Sequence, residues 1–343
     1  MPELPPFRHG LIVGKFAPLH AGHEKVIRTA LAECERVSVW CYARPDFASM
    51  PSPVRRGWLR EVFPAHLFPK LDLLPDAPDP PLDSAPAEIH DAYCREILGG
   101  WNVCPDAVYT SEDYGEGFAA ALGATHRMVD RPRQQFPVSG TALRADIHGL
   151  RHFLNPLVYA HFTERVVILG AESTGKSTPV RALAGQFGTV HVREYGRDVY
   201  EHEHENGQLT PAHFLEIALG HRALEREAAR SGQANRYLFS DTDAATTLMW
   251  SYLLTGQALP QLHVLANGCK TRYAHAFVCS TDIAFEQDGW RSNKAVREVQ
   301  QAHILQDLHT RGVQYTVLSG SVQERVAQVT ARLASTSAPT NPG

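Results

Sequence analysis

Two short stretches carry residue types that handle phosphate. In GKFAPLHAGH (14–23), an apolar run, LIVG, leads into Gly14, Lys15, Phe16, His20, Gly22 and His23. Histidines three apart share a helix face, so both imidazoles can meet one ligand. A metal would need a third ligand, and no carboxylate stands nearby at metal-site spacing. An anion needs only what is present: Lys15, two imidazoles, and the free N–H groups of a helix starting near Gly22 or His23. The second stretch, GAESTGKS (170–177), fits GxxxxGK[ST] without a mismatch. It follows a predicted strand and opens a predicted helix, the context such a loop requires. Its glycines let amides turn toward a nucleotide's phosphates, which assigns Gly170, Ala171, Glu172, Ser173, Thr174, Gly175 and Thr178 to the same ligand. Lys176 reaches the β- and γ-phosphates, and Ser177 is a ligand for Mg²⁺.

Other residues complement these loops. SGTALR (139–144) offers Ser139, Gly140 and Thr141 at a second helix start, with Arg144 one turn on. LFSDTD supplies Asp241 and Asp243 at a strand end: one for Mg²⁺, the other as base or sugar ligand. REYGR (193–197) puts Glu194 and Arg197 at the same sheet edge, and DGWR (288–291) reads as a lid bringing Arg291 over the phosphates. The run EHEHE (201–205) has histidines at i and i+2, which point apart on a helix, so it reads as a solvated surface.

The elements that must position these residues alternate. In the first half, strands are predicted at 10–14, 36–43, 106–110 and 125–130, with helices at 23–34, 52–63, 87–98 and from 139. Residues 69–86 hold six prolines and read as an exposed loop or linker. After a separating stretch, 148–163, strands are predicted at 165–169, 236–240, 276–280 and 313–318. Alternation of this kind implies right-handed βαβ units, hence two α/β domains with doubly wound parallel sheets. A chain of 343 residues suits two domains. The net charge of −4 argues against a nucleic-acid partner. Six cysteines without a CxxC pair suit buried free thiols in a reducing cytoplasm, and no run is apolar enough to span a membrane. The tail, 335–343, is expected to be disordered.

GKFAPLHAGH with SGTALR resembles the nucleotidyltransferase superfamily, with its HxGH loop and arginine-bearing second motif. Followed by GAESTGKS, REYGR, DTD and DGWR, the chain from about residue 8 to 334 resembles the bifunctional nicotinamide-mononucleotide adenylyltransferase / ribosylnicotinamide kinase family. The resemblance implies an HxGH nucleotidyltransferase Rossmann-like domain (1–150) followed by a P-loop kinase domain (163–334). It implies ATP-dependent phosphorylation of ribosylnicotinamide, then adenylyl transfer from a second ATP to the mononucleotide, giving NAD⁺ and pyrophosphate. Lys15, His20, His23 and Arg144 would stabilise the transferring phosphate; Lys176, with Asp243 or Glu194 as base and Ser177 and Asp241 on Mg²⁺, would serve the kinase. Tyr42, Trp101 and Tyr114 are candidates for stacking on nicotinamide, worth about 0.5–2 kcal/mol for a cationic ring. Arg55 and Arg56 are candidates for the mononucleotide phosphate, and Tyr195 and Arg197 for kinase substrate. The expected partners are small molecules (ATP, the mononucleotide, ribosylnicotinamide, NAD⁺), and a homo-oligomer stays open. Some family members begin with a helix-turn-helix repressor domain; none is expected here, because the first predicted strand lies close to Met1. Two alternatives remain: a fused phosphopantetheine adenylyltransferase and dephospho-coenzyme A kinase, and a nucleotide-sensing regulator.

Overall fold

Strands whose residues are apolar without alternation are buried on both faces and belong inside parallel sheets. LIVG and VVIL are the central strands of two such sheets in the computed structural model, which describes residues 5–130, 134–196, 199, 209–283 and 294–336. The chain divides into two units, Met1–His161 and Phe162–Gly343.

In the first unit, β1 (Phe7–Gly14), β2 (Cys34–Cys41), β3 (Leu71–Leu73), β4 (Ala107–Thr110) and β5 (Thr125–Met128) pair in parallel in the order β3-β2-β1-β4-β5. The order reverses at β1, so the crevice beyond β1 and β4 is where an open sheet binds its ligand. Helices α1 (Ala21–Glu33), α2 (Ser52–Val62), α3 (Ala87–Gly100) and α4 (Gly115–Leu122) supply the crossovers. Leu11, Trp40 and Val108 pack on one sheet face against Cys94 and Leu98 of α3 and Phe118 of α4.

Two expectations need correction here. The proline-rich stretch 69–86 is not merely an exposed loop. Leu71–Leu73 pairs with Val37–Val39 as the edge strand, and the residues after it are tied down by Ser52 Oγ to Asp76 and Tyr93 OH to the Pro78 carbonyl. Period-2 patterning is invisible in a three-residue strand, and the prolines lie outside it. The stretch 148–163 is likewise no separator up to His161. It forms a 3₁₀ turn (Arg151–Phe153) and then α6 (Pro156–Tyr159), which follows α5 (Gly140–Ala145). His161 stacks edge-on to Trp58 and bonds the Ser49 carbonyl at 2.9 Å, fixing this segment to the first unit.

In the second unit, β6 (Glu164–Leu169), β7 (His191–Val192), β8 (Tyr237–Asp241), β9 (His275–Cys279) and β10 (Tyr315–Leu318) pair in parallel as β10-β9-β6-β8-β7, reversing at β6. The helices are α7 (Ser177–Gln186), α8 (Pro211–Arg230), α9 (Ala244–Thr255), α10 (Pro260–Asn267), α11 (Cys269–Arg272), α12 (Lys294–Thr310) and α13 (Val322–Thr336). Val166 and Ile168 face Leu183 of α7 and Val329 of α13; the alternate residues Val167 and Leu169 face Ile304 and Leu308 of α12. That is the doubly wound arrangement. α13 runs through Thr336; the rest of the tail lies outside the described residues, as do 201–205. No described helix is long and apolar enough to cross a membrane.

A buried ion pair sits among α8, β8 and α11. Glu225, fully buried, accepts from Arg272, Ser240 Oγ at 2.7 Å and Tyr273 OH at 2.8 Å. Burial pushes its carboxyl up, but the charges of His221 and Arg272 and the two hydroxyls outweigh this, and the net direction is down. A depressed folded value means that the contribution is complete above the unfolded carboxyl value, about 4.3, and is lost as pH falls through the folded one. Removing one partner of such a pair costs about 3–5 kcal/mol. Glu225→Gln is therefore expected to lower the thermal transition of the second unit at pH 7. It should also flatten the fall that the native chain shows below about pH 4.3, as read by circular dichroism.

Candidate active sites

The first site opens at the C-terminal end of β1. His20, extended in backbone, precedes α1 as its N-cap, so the helix begins at Ala21, slightly earlier than its glycine suggests. His23 is the third helical residue. Its ring stacks on His20 at 3.8 Å between centroids, and its Nδ1 accepts the His20 backbone N–H at 3.4 Å. An accepting Nδ1 leaves the proton of neutral His23 on Nε2, a donor for an anion. Phe16, buried, stands edge-on to His23 at 5.0 Å and covers Gly14, where a Cβ would meet its ring at 3.0 Å.

The second motif is bolted to this loop. Ser139 caps α5 by accepting from the Ala142 N–H at 3.1 Å. Arg144 donates to the Ala17 carbonyl at 2.7 Å and to Thr141 Oγ1 at 2.9 Å, and lies over the Phe47 ring. Residues 127 apart in sequence thus share one wall. Gly14, Lys15, Phe16, His20, His23, Ser139, Gly140, Thr141 and Arg144 all line one cavity of about 980 Å³.

Tyr42 and Tyr114 line it as well; Arg55, Arg56 and Trp101 do not. Trp101 stands edge-on to Trp40 at 5.2 Å and packs on the core cluster. Arg55 is 0% exposed and donates to the carbonyls of Lys15 (2.6 Å), Tyr42 (2.9 Å) and Ala43 (2.7 Å). Arg56 donates to the Leu74 carbonyl and pairs with Asp76. Both arginines of α2 serve backbone carbonyls, which corrects their assignment to a phosphate. Tyr42 OH bonds His90 Nδ1 at 2.9 Å, and burial raises its pKa far above the usual phenol value. Asp83, which sequence reasoning passed over as loop, reaches Lys15 Nζ at 2.5 Å, both side chains about half exposed (46% and 52%).

The second site is the loop from β6 to α7. Gly170 has φ +145°, and a Cβ there would stand 2.6 Å from Thr174 Oγ1 and 3.0 Å from the Cys279 carbonyl, so no other residue fits. Ser173 and Gly175 also have positive φ, and α7 starts at Ser177, with Thr178 in its first turn. Lys176 Nζ lies back on the Ala171 carbonyl at 3.0 Å. Ser177 Oγ donates to Asp241 Oδ2 at 2.5 Å, while Asp241 Oδ1 is buried with no partner among the described residues. A hydroxyl beside a carboxylate with a spare buried oxygen suits a hard divalent cation, whose remaining ligands come from phosphate and water. Among the described residues, no three His, Cys, Asp or Glu side chains form a metal cluster.

Asp243 is buried and caps α9, its Oδ1 accepting from the Thr246 N–H at 2.8 Å and from the Thr246 hydroxyl. Glu194 follows β7, beside β8 at the same sheet edge. Tyr195 packs against Gly220 of α8 and the apolar cluster there, a filling role instead of the expected ligand role. Arg197 and Arg291 lie outside the described residues. Three contributors had no local signal. Arg325, 2% exposed, donates to the Thr174 carbonyl at 2.5 Å and pairs with Asp282. Gln300 and Gln301 accept from the Glu172 and Ala171 amides at 3.1 and 2.9 Å.

Residues 165–325 match the family described as AAA domain. Two curated relatives, the trifunctional NAD biosynthesis/regulator protein NadR of Escherichia coli (strain K12) and that of Salmonella typhimurium (strain LT2), are each 27% identical over 298 residues, 82% of this chain and 71% of theirs. A crystal structure of NadR protein in complex with NAD and AMP-PNP superposes with a TM-score of 0.72 at 21% identity, covering 96% of both chains. One in complex with NR gives 0.74 at 20%, covering 97% of both. At these identities the likeness establishes the fold.

If Arg55 serves the fold, Arg55→Met leaves three carbonyls without their donor and destabilises the first unit by about 2–4 kcal/mol in urea denaturation. Unchanged stability with weakened mononucleotide binding would restore the phosphate role.

Proposed function

We propose that this NadR-like chain is a two-site enzyme of nicotinamide nucleotide synthesis, its second unit phosphorylating ribosylnicotinamide and its first unit adenylylating the product. The observation that carries the reading is the pairing of two phosphate loops, each with its own supporting motif: the histidine loop held to Arg144, and the P-loop whose Ser177 meets Asp241. The relatives' names and the ligands in the structures of similar fold, NAD, AMP-PNP and NR, support the substrates.

In the first unit the mononucleotide phosphate attacks the α-phosphorus of ATP in line, and the bond to the β-phosphate breaks as pyrophosphate leaves. No covalent nucleophile is needed; positioning and charge stabilisation carry the reaction. His23 offers Nε2–H, His20 lies against it, and Arg144 adds charge from the second motif. Lys15 exchanges Asp83 for a phosphate, an inexpensive exchange because half-exposed pairs contribute only about 0–1 kcal/mol. Tyr42 and Tyr114 remain the aromatic candidates for the nicotinamide ring.

In the second unit the 5′-hydroxyl of ribosylnicotinamide attacks the γ-phosphorus of ATP. Lys176 and the loop amides take the developing charge. Ser177 and Asp241 would hold Mg²⁺, which when bound neutralises charge on the β- and γ-phosphate oxygens. The hydroxyl proton leaves to a carboxylate at the β7–β8 edge. Asp243, with one oxygen committed to the α9 cap, and Glu194 are the candidates there. The cytoplasmic setting expected from the sequence belongs to this reading.

The test is ATP with ribosylnicotinamide, quantifying mononucleotide and NAD⁺, and ATP with mononucleotide supplied directly, so that NAD⁺ formation is read independently of the kinase, beside ATP with phosphopantetheine. His20→Ala is expected to cut NAD⁺ formation at least about 100-fold while leaving mononucleotide formation intact; Lys176→Ala should do the reverse. Loss of both activities from either change in a folded chain would sink the two-site reading, and NAD⁺ missing from the native reaction would sink the substrate assignment.

A further inference from the structure

β6 and β9 pair as far as Leu169↔Val278 and then part, because the P-loop must turn out of the sheet. Parting leaves the next donor and acceptor of the ladder, the Ala171 N–H and the Cys279 carbonyl, without each other. Gln301 of α12 stands in this gap. Its Oε1 accepts from the Ala171 N–H at 2.9 Å and its Nε2 donates to the Cys279 carbonyl at 3.0 Å. A primary amide carries the donor and acceptor of a peptide unit, so the side chain serves as one further rung between diverging strands. Gln300 accepts from the following amide, Glu172, at 3.1 Å; it is 0% exposed, and its Nε2 has no partner among the described residues. From the other side Arg325 holds the Thr174 carbonyl, and Thr174 Oγ1 donates to the Ala171 carbonyl at 2.7 Å.

We propose that Gln300 and Gln301 are positioning residues of the phosphoryl transfer: they engage the Glu172 and Ala171 amides of the P-loop so that the amides from Ser173 onward are held turned toward the nucleotide. Neither residue touches the reacting atoms. Their effect runs through the loop's shape, since a preorganised set of donors needs no rearrangement when phosphate arrives. α12 is itself anchored at the mouth of the same sheet, where Arg297 donates to the carbonyls of Thr281 and Ile283 at 3.3 and 3.1 Å. The glutamines therefore approach the loop from a fixed support.

The inference rests on the kinase reading above, and its test keeps the two apart. In the full chain, Gln301→Leu removes the rung at similar volume, and Gln300→Leu removes the second acceptor. Each is expected to raise the KM for ATP in ribosylnicotinamide phosphorylation by about tenfold, the lower range for a buried amide left without its acceptor. The thermal transition without nucleotide should stay within a few degrees, while the upward shift that ATP causes in the second unit shrinks. Gln301→Glu keeps an acceptor for Ala171 but sets an oxygen against the Cys279 carbonyl, so it should recover less than half of the lost affinity. Adenylyl transfer by the first unit is the internal control and should not change. A native chain without kinase activity would overturn the kinase reading. A folded Gln301→Leu or Gln300→Leu chain with native ATP KM would overturn this one, as would a Gln301→Glu chain that behaves like the native protein.

Discussion

A loop that turns its amides toward an anion turns its carbonyls the other way, into the protein, and those carbonyls need donors. This constraint shapes both sites. In the first unit Arg55 meets the carbonyls of Lys15, Tyr42 and Ala43, and Arg144 meets that of Ala17. In the second, Arg325 meets the carbonyls of Thr174 and Gly320, and Lys176 lies on that of Ala171. A guanidinium suits the task. It has five donors in a fixed fork, stays charged when buried, and is weakly hydrated compared with an ammonium. Its charge also lies behind the loop, where it adds to the positive field that faces the ligand.

The same constraint explains why several cations beside these loops serve the fold. Arg55 and Arg56 look like phosphate ligands by type. Arg55 meets three carbonyls and Arg56 one, and taking the buried Arg55 to a substrate would strand its three. Two cations have a partner easily exchanged for a ligand: Lys15, whose carboxylate partner is half exposed, and Lys176, whose partner is a single carbonyl.

What could be read in the sequence followed from locality. The P-loop, the histidine loop and the SGTALR cap are each contained in ten residues or fewer, and their backbone requirements leave marks in residue type: Gly170 at φ +145° and Ser139 at a cap. The two parallel sheets were legible because apolar runs and helical periodicity alternate. Arg325 bonds a carbonyl 151 residues away, and Gln301 an amide 130 away; a glutamine pair on a helix looks like any polar face until its neighbours are known. The proline-rich stretch misled for a related reason. Prolines report that the backbone lacks a ladder, and they do not report that Asp83 returns to the site.

The two loops solve one electrostatic problem with different chemistry, and the difference follows from where the charge must go. At the P-loop, on the proposed kinase reading, the transferring group ends on a sugar hydroxyl, charge accumulates between the β- and γ-phosphates, and a serine with a buried carboxylate can hold a cation there. On the proposed reading the leaving group at the histidine loop is a whole pyrophosphate, which must depart. There the His23 Nδ1 accepts from the His20 amide, and the His20 ring stacks on that of His23. On that reading Lys15 returns to Asp83 as product leaves, while Arg144 stays on the Ala17 carbonyl.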